Sequence, residues 1–254
     1  MNVRTPKNDT PRSAAIASGV SLLVMAAAAA YSYGFVHDRL VVPDDSAATA
    51  ANLGTFSALF RTGILGWLLI IVCDVIAAWG LYRFFESVNR SLSLLSGWMR
   101  LAYTAILGIA VAFLALALLS AEHMTPNDAL AAESIWLSLR VFDFVWSVGL
   151  VIFGLHLWIT GMLIFQAPTA PRWVGVLLQA AALSYLGVHL YKIAVPEMSL
   201  WFSTLKAVLS VPMALGELSL AFWLLLKGGR AAPQPFSIPS DSANAELKAS
   251  ESAS

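Results

Sequence analysis

Six long apolar stretches run along the chain, and polar or charged connections separate them. Each stretch is apolar over roughly 20 residues, the length of helix that crosses the hydrocarbon core of a bilayer. Strands of a membrane barrel are about half as long and alternate apolar with polar residues, which these stretches do not. The pattern predicts an all-α, polytopic transmembrane bundle. Its six spans cover residues 14–34, 62–82, 98–120, 141–165, 173–191 and 204–226.

Composition supports this class and removes several others. Hydrophobic residues make up 59% of the 254 residues and charged residues 12%, whereas soluble domains are about 25% charged. The 15 basic and 15 acidic residues balance, so no basic field favours a nucleic-acid partner. The single cysteine, Cys73, excludes an intramolecular disulfide and any metal motif built on paired cysteines. The expected partner is the lipid bilayer.

The predicted transmembrane domain covers residues 13–228. Residues 1–12 and 229–254 contain too few apolar residues to offset the entropy of ordering, so we expect a disordered N-terminus and a disordered tail. The first span also resembles a signal peptide, because Arg4, Lys7 and Arg12 precede an alanine-rich stretch. Its apolar run is as long as a full span, which favours retention over cleavage.

The distribution of lysine and arginine predicts the orientation. Positively charged flanks resist translocation, so the richer side of the bundle is expected to be cytoplasmic. Ten basic residues are assigned to one side and five to the other, which predicts that both termini are cytoplasmic. The ten are Arg4, Lys7, Arg12, Arg83, Arg90, Arg100, Arg172, Lys227, Arg230 and Lys248; the five are Arg39, Arg61, Arg140, Lys192 and Lys206.

Three ionisable residues lie well inside the predicted spans: Asp74, His156 and Glu217. With a helix rise of roughly 1.5 Å per residue, they lie about 12, 14 and 14 Å from the cytoplasmic ends of the second, fourth and sixth spans. Ionisable groups are costly at membrane depth, so each needs a partner or a function. We therefore predict that the three form one polar layer.

The chemistry of this layer leaves several interpretations open. Buried carboxylates that share a proton suit a proton carrier, and the same three residues could instead bind a divalent metal. The structural alternative is that each side chain only hydrogen-bonds a neighbouring helix. Lys206 and Ser210 share a helix face with Glu217 and could line an aqueous path, although Lys206 could simply extend towards the membrane surface.

Other polar and aromatic residues have simpler explanations. Arg140 and Asp143 are spaced to form a local ion pair on one helix. His156 and His189 differ in depth, so a haem held by two histidines is not expected, and any other cofactor stays unknown. Four tryptophans inside the spans are assigned to helix packing: Trp67, Trp79, Trp146 and Trp158.

Local patterns at the ends of the spans resemble a known family. They are Leu81-Tyr82-Arg83-Phe84-Phe85, Val88-Asn89-Arg90-Ser91-Leu92, Phe153-Gly154-Leu155-His156-Leu157, the run from Pro171 to Leu178, Gly216-Glu217-Leu218 and Trp223-Leu224-Leu225. Together they are similar to an uncharacterised family of bacterial multi-helix membrane proteins, domain of unknown function 4386. The resemblance covers roughly residues 12–228. It implies a multi-pass protein of the bacterial inner membrane and no established activity.

Three functional hypotheses remain. The first is proton- or cation-linked transport of a small, unidentified solute through the layer of Asp74, His156 and Glu217. The second is a non-catalytic membrane scaffold or stress accessory protein, suggested by the lack of a specific motif. The third is a metal-dependent membrane hydrolase, although one deep histidine is a nitrogen-poor ligand set. We expect a protein that is not an enzyme, and a homo-oligomer is compatible with its size.

Overall fold

The protein is an all-α bundle. The computed structural model describes residues 11–125, 128–195 and 200–229, and these contain no strand. The helices are α1 (Pro11–Leu40), α2 (Ser46–Thr55), α3 (Ser57–Phe85), α4 (Arg90–His123), α5 (Ala129–Gln166), α6 (Arg172–Ala194) and α7 (Leu200–Leu226). All except α2 are long and apolar enough to cross a membrane. The prediction of an all-α bundle with six spans is confirmed.

Capping side chains extend several helices beyond their apolar stretches. Asn89 accepts a hydrogen bond from the backbone N–H of Leu92 at 3.1 Å, and α4 therefore begins at Arg90, eight residues before the predicted span. Asp128 caps α5 in the same way, with its side chain accepting from the backbone N–H of Ala131. An N-cap satisfies an otherwise unpaired backbone donor, so polar residues at these ends remain helical.

The early start of α4 corrects the placement of Arg100. The charge count assigned Arg100 to a cytoplasmic connection, whereas the structure places it in the helix with its side chain 1% exposed. The prediction was wrong because a cation close to the edge of an apolar stretch looks like a membrane flank. Arg100 is instead a buried charge that needs a buried partner.

Asp143 also has a different partner from the predicted one. Its carboxylate pairs with the ammonium group of Lys192 on α6, not with Arg140 on its own helix. The spacing of Arg140 and Asp143 allows a contact along one helix, but packing of α5 against α6 provides the competing cation.

The first span is longer than predicted and includes an irregular segment. α1 begins at Pro11, before the predicted domain boundary, and its stretch Ala30–His37 is π-helical. Residues 1–10 and 230–254, which carry most of the two predicted disordered ends, lie outside the described residues. The short helix α2 was not predicted, because the sequence was searched for stretches of membrane-spanning length.

The six spans form a ring. α1 packs against α3, and each following span from α3 to α6 packs against the next one along the chain. α7 also packs against α1, which closes the ring. The short α2 lies across one end of this ring and contacts α3, α4 and α5. We call this end the far end. We call the opposite end, where α1 begins and α7 ends, the terminal end. Large apolar side chains such as Leu65, Val72, Ile109 and Leu183 are exposed on the bundle, as expected for a surface that faces lipid.

Arg12 joins the first and last spans at the terminal end. Its guanidinium donates hydrogen bonds to the carbonyl oxygens of Leu224 and Leu225 in the last turn of α7 and of Gly228 just after it. The last carbonyl groups of a helix have no backbone donor of the helix to accept from, so a side chain can satisfy them. Nearby, a Cβ added to Gly19 would lie 2.6 Å from the Leu225 side chain, so glycine allows the close approach of α1. The described ends of the chain therefore share one end of the bundle, and the side of the membrane that it faces stays a prediction.

Candidate functional site

A buried ion pair joins α3 and α4. The Nη2 atom of Arg100 lies 2.7 Å from Oδ1 of Asp74, and the two side chains are 1% and 2% exposed. The contact is close but not aligned as a hydrogen bond, and Asp74 Oδ2 has no hydrogen-bond partner among the described residues. Two opposite charges in a low-dielectric interior are tolerated because each compensates the other. Asp74 is therefore neutralised within the protein.

His156 on α5 supports the opposite side of the Arg100 guanidinium. Its Nε2 atom lies 3.1 Å from Nη1 of Arg100. Since a guanidinium has only donors, Nε2 must accept, and the ring proton lies on Nδ1. That nitrogen donates to the backbone oxygen of Ser96, 2.9 Å away. The arrangement requires a neutral imidazole whose two nitrogens are both occupied.

Two hydroxyl groups complete this hydrogen-bond chain. Thr160 Oγ1 donates to the backbone oxygen of His156 at 2.9 Å, so it can accept a second bond from the Ser96 hydroxyl, also at 2.9 Å. Every polar atom of His156 and both hydroxyls thus have partners, and all three side chains are buried. We refer to Asp74, Arg100, His156, Ser96 and Thr160 as the closed network.

Glu217 on α7 lies at the same depth as the closed network but outside it. Counted along the helices, Asp74, Arg100, His156 and Glu217 are each about 15 Å from the terminal end of their span. The hydroxyl of Tyr185 on α6 donates to Glu217 Oε1 at 2.7 Å. No lysine, arginine or histidine of the described residues lies within ion-pair distance of its carboxylate.

A central cavity of about 320 Å³ brings Asp74, Arg100 and Glu217 together. All six spans contribute to its wall, and most of the wall is apolar or aromatic. Its volume lies at the lower end of the range for small-molecule sites. The lining residues are Leu22, Met25, Ala26, Ala29, Trp67, Ile70, Asp74, Arg100, Tyr103, Trp146, Leu150, Phe153, Tyr185, Ser210, Met213, Ala214, Glu217 and Leu218.

An aromatic cluster covers the cavity on the side of the far end. Trp67 and Trp146 pack edge to face with ring centroids 4.9 Å apart, and Phe142 contacts both rings. Tyr33, from the π-helical part of α1, packs against Trp146 at 5.1 Å. The indole N–H of Trp146 interacts with the hydroxyl of Tyr103, and both side chains line the cavity. The cluster therefore gives the cavity an aromatic wall on this side.

Small side chains line the cavity where α1 meets α7. Ala26 on α1 and Ser210 and Ala214 on α7 are exposed and also belong to the cavity wall. The contacts made by Arg12 and Gly19 hold the same two helices together at the terminal end. The cavity thus reaches the surface midway along the seam between α1 and α7, where these small, exposed residues belong to its wall.

Comparison with known proteins gives a family without an assigned activity. Residues 17–228 match DUF4386, a domain of unknown function. The chain belongs to this family. A similar protein, described as uncharacterized, comes from Archaeoglobus fulgidus and is 27% identical over 165 residues, which are 65% of this chain and 83% of that protein. No solved structure matches the chain. The archaeal relative means that the DUF4386 resemblance does not by itself specify a bacterial membrane.

The cavity includes three of the five residues proposed for the site in this DUF4386 protein. Asp74, Glu217 and Ser210 line it, whereas His156 is separated from it by Arg100, and Lys206 is not part of the wall. Among the described residues no three histidine, cysteine or acidic side chains are grouped to hold a metal ion. Because both nitrogens of His156 are engaged, the arrangement gives no support to the metal-ligand interpretation.

Sequence reasoning missed several residues of the site. Arg100 was assigned to a flank, although Asn89 is a typical N-cap residue and would have placed the start of α4 at Arg90. Trp67 and Trp146 were assigned to packing, and they also form cavity wall. Tyr103 and Tyr185 carried no signal, since a tyrosine inside an apolar stretch is common at many kinds of position.

Proposed function

We propose that this multi-pass membrane protein carries a small solute through the central cavity, with Glu217 as the group that exchanges a proton or a cation. The observation that supports the proposal is the unequal charge of the cavity wall. Arg100 compensates Asp74, while Glu217 has, among the described residues, only a tyrosine hydroxyl as partner. A carboxylate in such a wall is stabilised when a proton or a cation joins it.

In this proposal Asp74 and His156, the other two members of the predicted layer, affect Glu217 only through Arg100. Asp74 and His156 hold Arg100 from its two sides, so they keep a charge-compensated guanidinium in the wall and do not carry the proton themselves. The polar and charged groups that face the cavity with Glu217 are Asp74 on α3, Arg100 and Tyr103 on α4, Tyr185 on α6 and Ser210 on α7.

Proton flux into liposomes tests this function. The purified full chain is reconstituted with an internal pH-sensitive dye, and the rate after an imposed potential is compared between wild type and Glu217→Gln. The matched control is Glu133→Gln, an exposed carboxylate that accepts a hydrogen bond from Ser46. We expect flux to be lost in Glu217→Gln and retained in the control.

Equal flux in wild type and Glu217→Gln would reject the carrier. If that variant also lost only thermal stability, the scaffold hypothesis would take its place, because a scaffold needs Glu217 for packing alone. The six apolar spans support a membrane location, and for the particular membrane we propose the bacterial inner membrane. Separating the membranes of bacterial cells that express the tagged chain tests it.

A further inference from the structure

The charge of the cavity wall identifies the charge of its ligand. This argument rests on the proposed function, since it takes the cavity to be the solute site. Arg100 and Asp74 cancel, and His156 is neutral because its Nε2 accepts from the guanidinium. Ionised Glu217 then leaves one negative charge in the wall. A ligand with one positive charge balances it, whereas an anion or a dication would leave a buried charge uncompensated.

The chemistry of the wall favours an organic cation over a metal ion. Calcium and magnesium ions require six or more oxygen ligands, and besides the arginine-paired Asp74 the cavity offers one carboxylate with a few hydroxyl groups. Among the described residues no three histidine, cysteine or acidic side chains are grouped to hold another metal ion. Its aromatic residues include Tyr103, Phe153 and Tyr185. Ring faces attract cations, and the Arg100 guanidinium already lies 5.4 Å from the centre of the Phe153 ring.

The opening of the cavity indicates the route of entry. Ala26, Ser210 and Ala214 are small, exposed residues of the cavity wall at mid-depth on the seam between α1 and α7. Next to this opening Leu215 is exposed, as are the other large apolar residues that face lipid. A ligand that enters here must first partition into the bilayer, so it needs an apolar body besides its charge.

We propose that the cavity binds a lipophilic organic monocation, an amine or quaternary ammonium with an apolar group, that enters from the bilayer between α1 and α7. The positive group lies at the Glu217 carboxylate, and the apolar body packs against Trp67 and Trp146, the two members of the aromatic cluster that line the cavity. The ligand is free in the bilayer and is not the headgroup of a phospholipid.

Calorimetric binding to the detergent-purified full chain tests the ligand class. The probe is benzyltrimethylammonium, and its neutral isostere 2,2-dimethylpropylbenzene has the same shape without the charge. We expect the cation to bind at least about tenfold more tightly than the isostere, which corresponds to the strength of desolvated cation–aromatic and ionic contacts. Equal affinities would overturn the proposal, as would tighter binding of dihexanoylphosphatidylcholine, which carries the same ammonium on a phospholipid headgroup.

Two pairs of variants locate the site. Glu217→Gln is expected to abolish the preference for the cation, and Glu133→Gln to keep it. Ala214→Phe would fill the opening and part of the cavity, so binding should be lost, whereas Leu215→Phe on the neighbouring exposed position should leave it unchanged. If Glu217→Gln does not fold, the comparison of Ala214→Phe with Leu215→Phe tests the location of the site. Equal binding of the cation by these two variants would contradict it.

The binding measurement and the flux measurement test different claims, so either claim can be rejected without the other. Proton flux that depends on Glu217 without any binding of benzyltrimethylammonium would reject the organic cation and leave the carrier. Binding of the cation without proton flux would reject the coupled carrier and leave a site for organic cations.

Discussion

Asp74 and Glu217 are two carboxylates at one depth in the same bundle, and their surroundings differ. Asp74 has Arg100 at 2.7 Å, and that arginine is itself held by His156 and its hydroxyl partners. Glu217 receives one hydrogen bond from Tyr185 and otherwise faces the cavity. The two residue types are chemically alike, so the neighbouring helices decide the difference between them.

The comparison separates two uses of charge inside a membrane. A carboxylate with a buried cation is a fixed part of the structure, because moving either partner would leave the other uncompensated. A carboxylate with only a neutral donor can change its proton or its ligand at lower cost, because no second charge depends on it. Stability measurements should therefore respond most to the closed network, and binding and flux should respond most to Glu217.

The largest expected loss of stability follows from removing Arg100. Arg100→Met leaves Asp74 buried without a cation, which should lower the free energy of unfolding by about 3–5 kcal/mol. The measurement is a denaturant titration in mixed micelles, followed by circular dichroism. The double variant Asp74→Leu with Arg100→Met removes both charges and should recover most of the loss. A double variant as unstable as the single one would show that the pair is not the cause.

A smaller loss is expected when the support of Arg100 is removed. His156→Phe keeps a ring of similar size but takes away the acceptor for Arg100 and the donor to Ser96, which should cost about 1–3 kcal/mol. The same titration measures it, and His156→Gln, which retains a donor and an acceptor, should recover part of the cost. No difference between the two variants would argue against the hydrogen-bonding role of His156.

The Asp143–Lys192 pair separates the effect of pairing from the effect of burial. It also joins two neighbouring spans, but its lysine and aspartate side chains are 12% and 33% exposed. Both side chains are more exposed than those of Asp74 and Arg100, so Lys192→Met should lower the free energy of unfolding by less, about 1 kcal/mol. The measurement is the thermal unfolding of Lys192→Met and of Arg100→Met under the same conditions, which compares the two losses of stability. Equal losses would mean that burial is not what makes the closed network important.

Tyr185→Phe should have the smallest effect on stability and still alter the site. It removes the hydroxyl that donates to Glu217, a hydrogen bond worth about 0.6 kcal/mol inside a membrane protein. Thermal unfolding should change little, while the rate of proton flux in liposomes changes because the Glu217 carboxylate loses this donor. A large loss of stability with unchanged flux would place Glu217 with the structural residues.

Much of the fold follows from the sequence because a bilayer imposes simple requirements. Backbone polar groups must be satisfied inside the segment, so each long apolar stretch has to be a helix of known minimum length. The limits of the helices are less predictable, since polar residues such as Arg90 and Ser91 continue α4 where a cap stabilises its first turn. The short helix α2 is not an apolar stretch of membrane-spanning length, so the requirements of the bilayer do not predict it.

The sequence alone determined the six spans and a shared depth for Asp74, His156 and Glu217, because helix rise converts residue number into depth. Only the tertiary structure decided which groups face each other. Depth carries no information about the rotation of a helix or about its neighbours in the ring. Placing α4 beside α3 pairs Arg100 with Asp74, and placing α7 between α6 and α1 leaves Glu217 with Tyr185 and an open cavity.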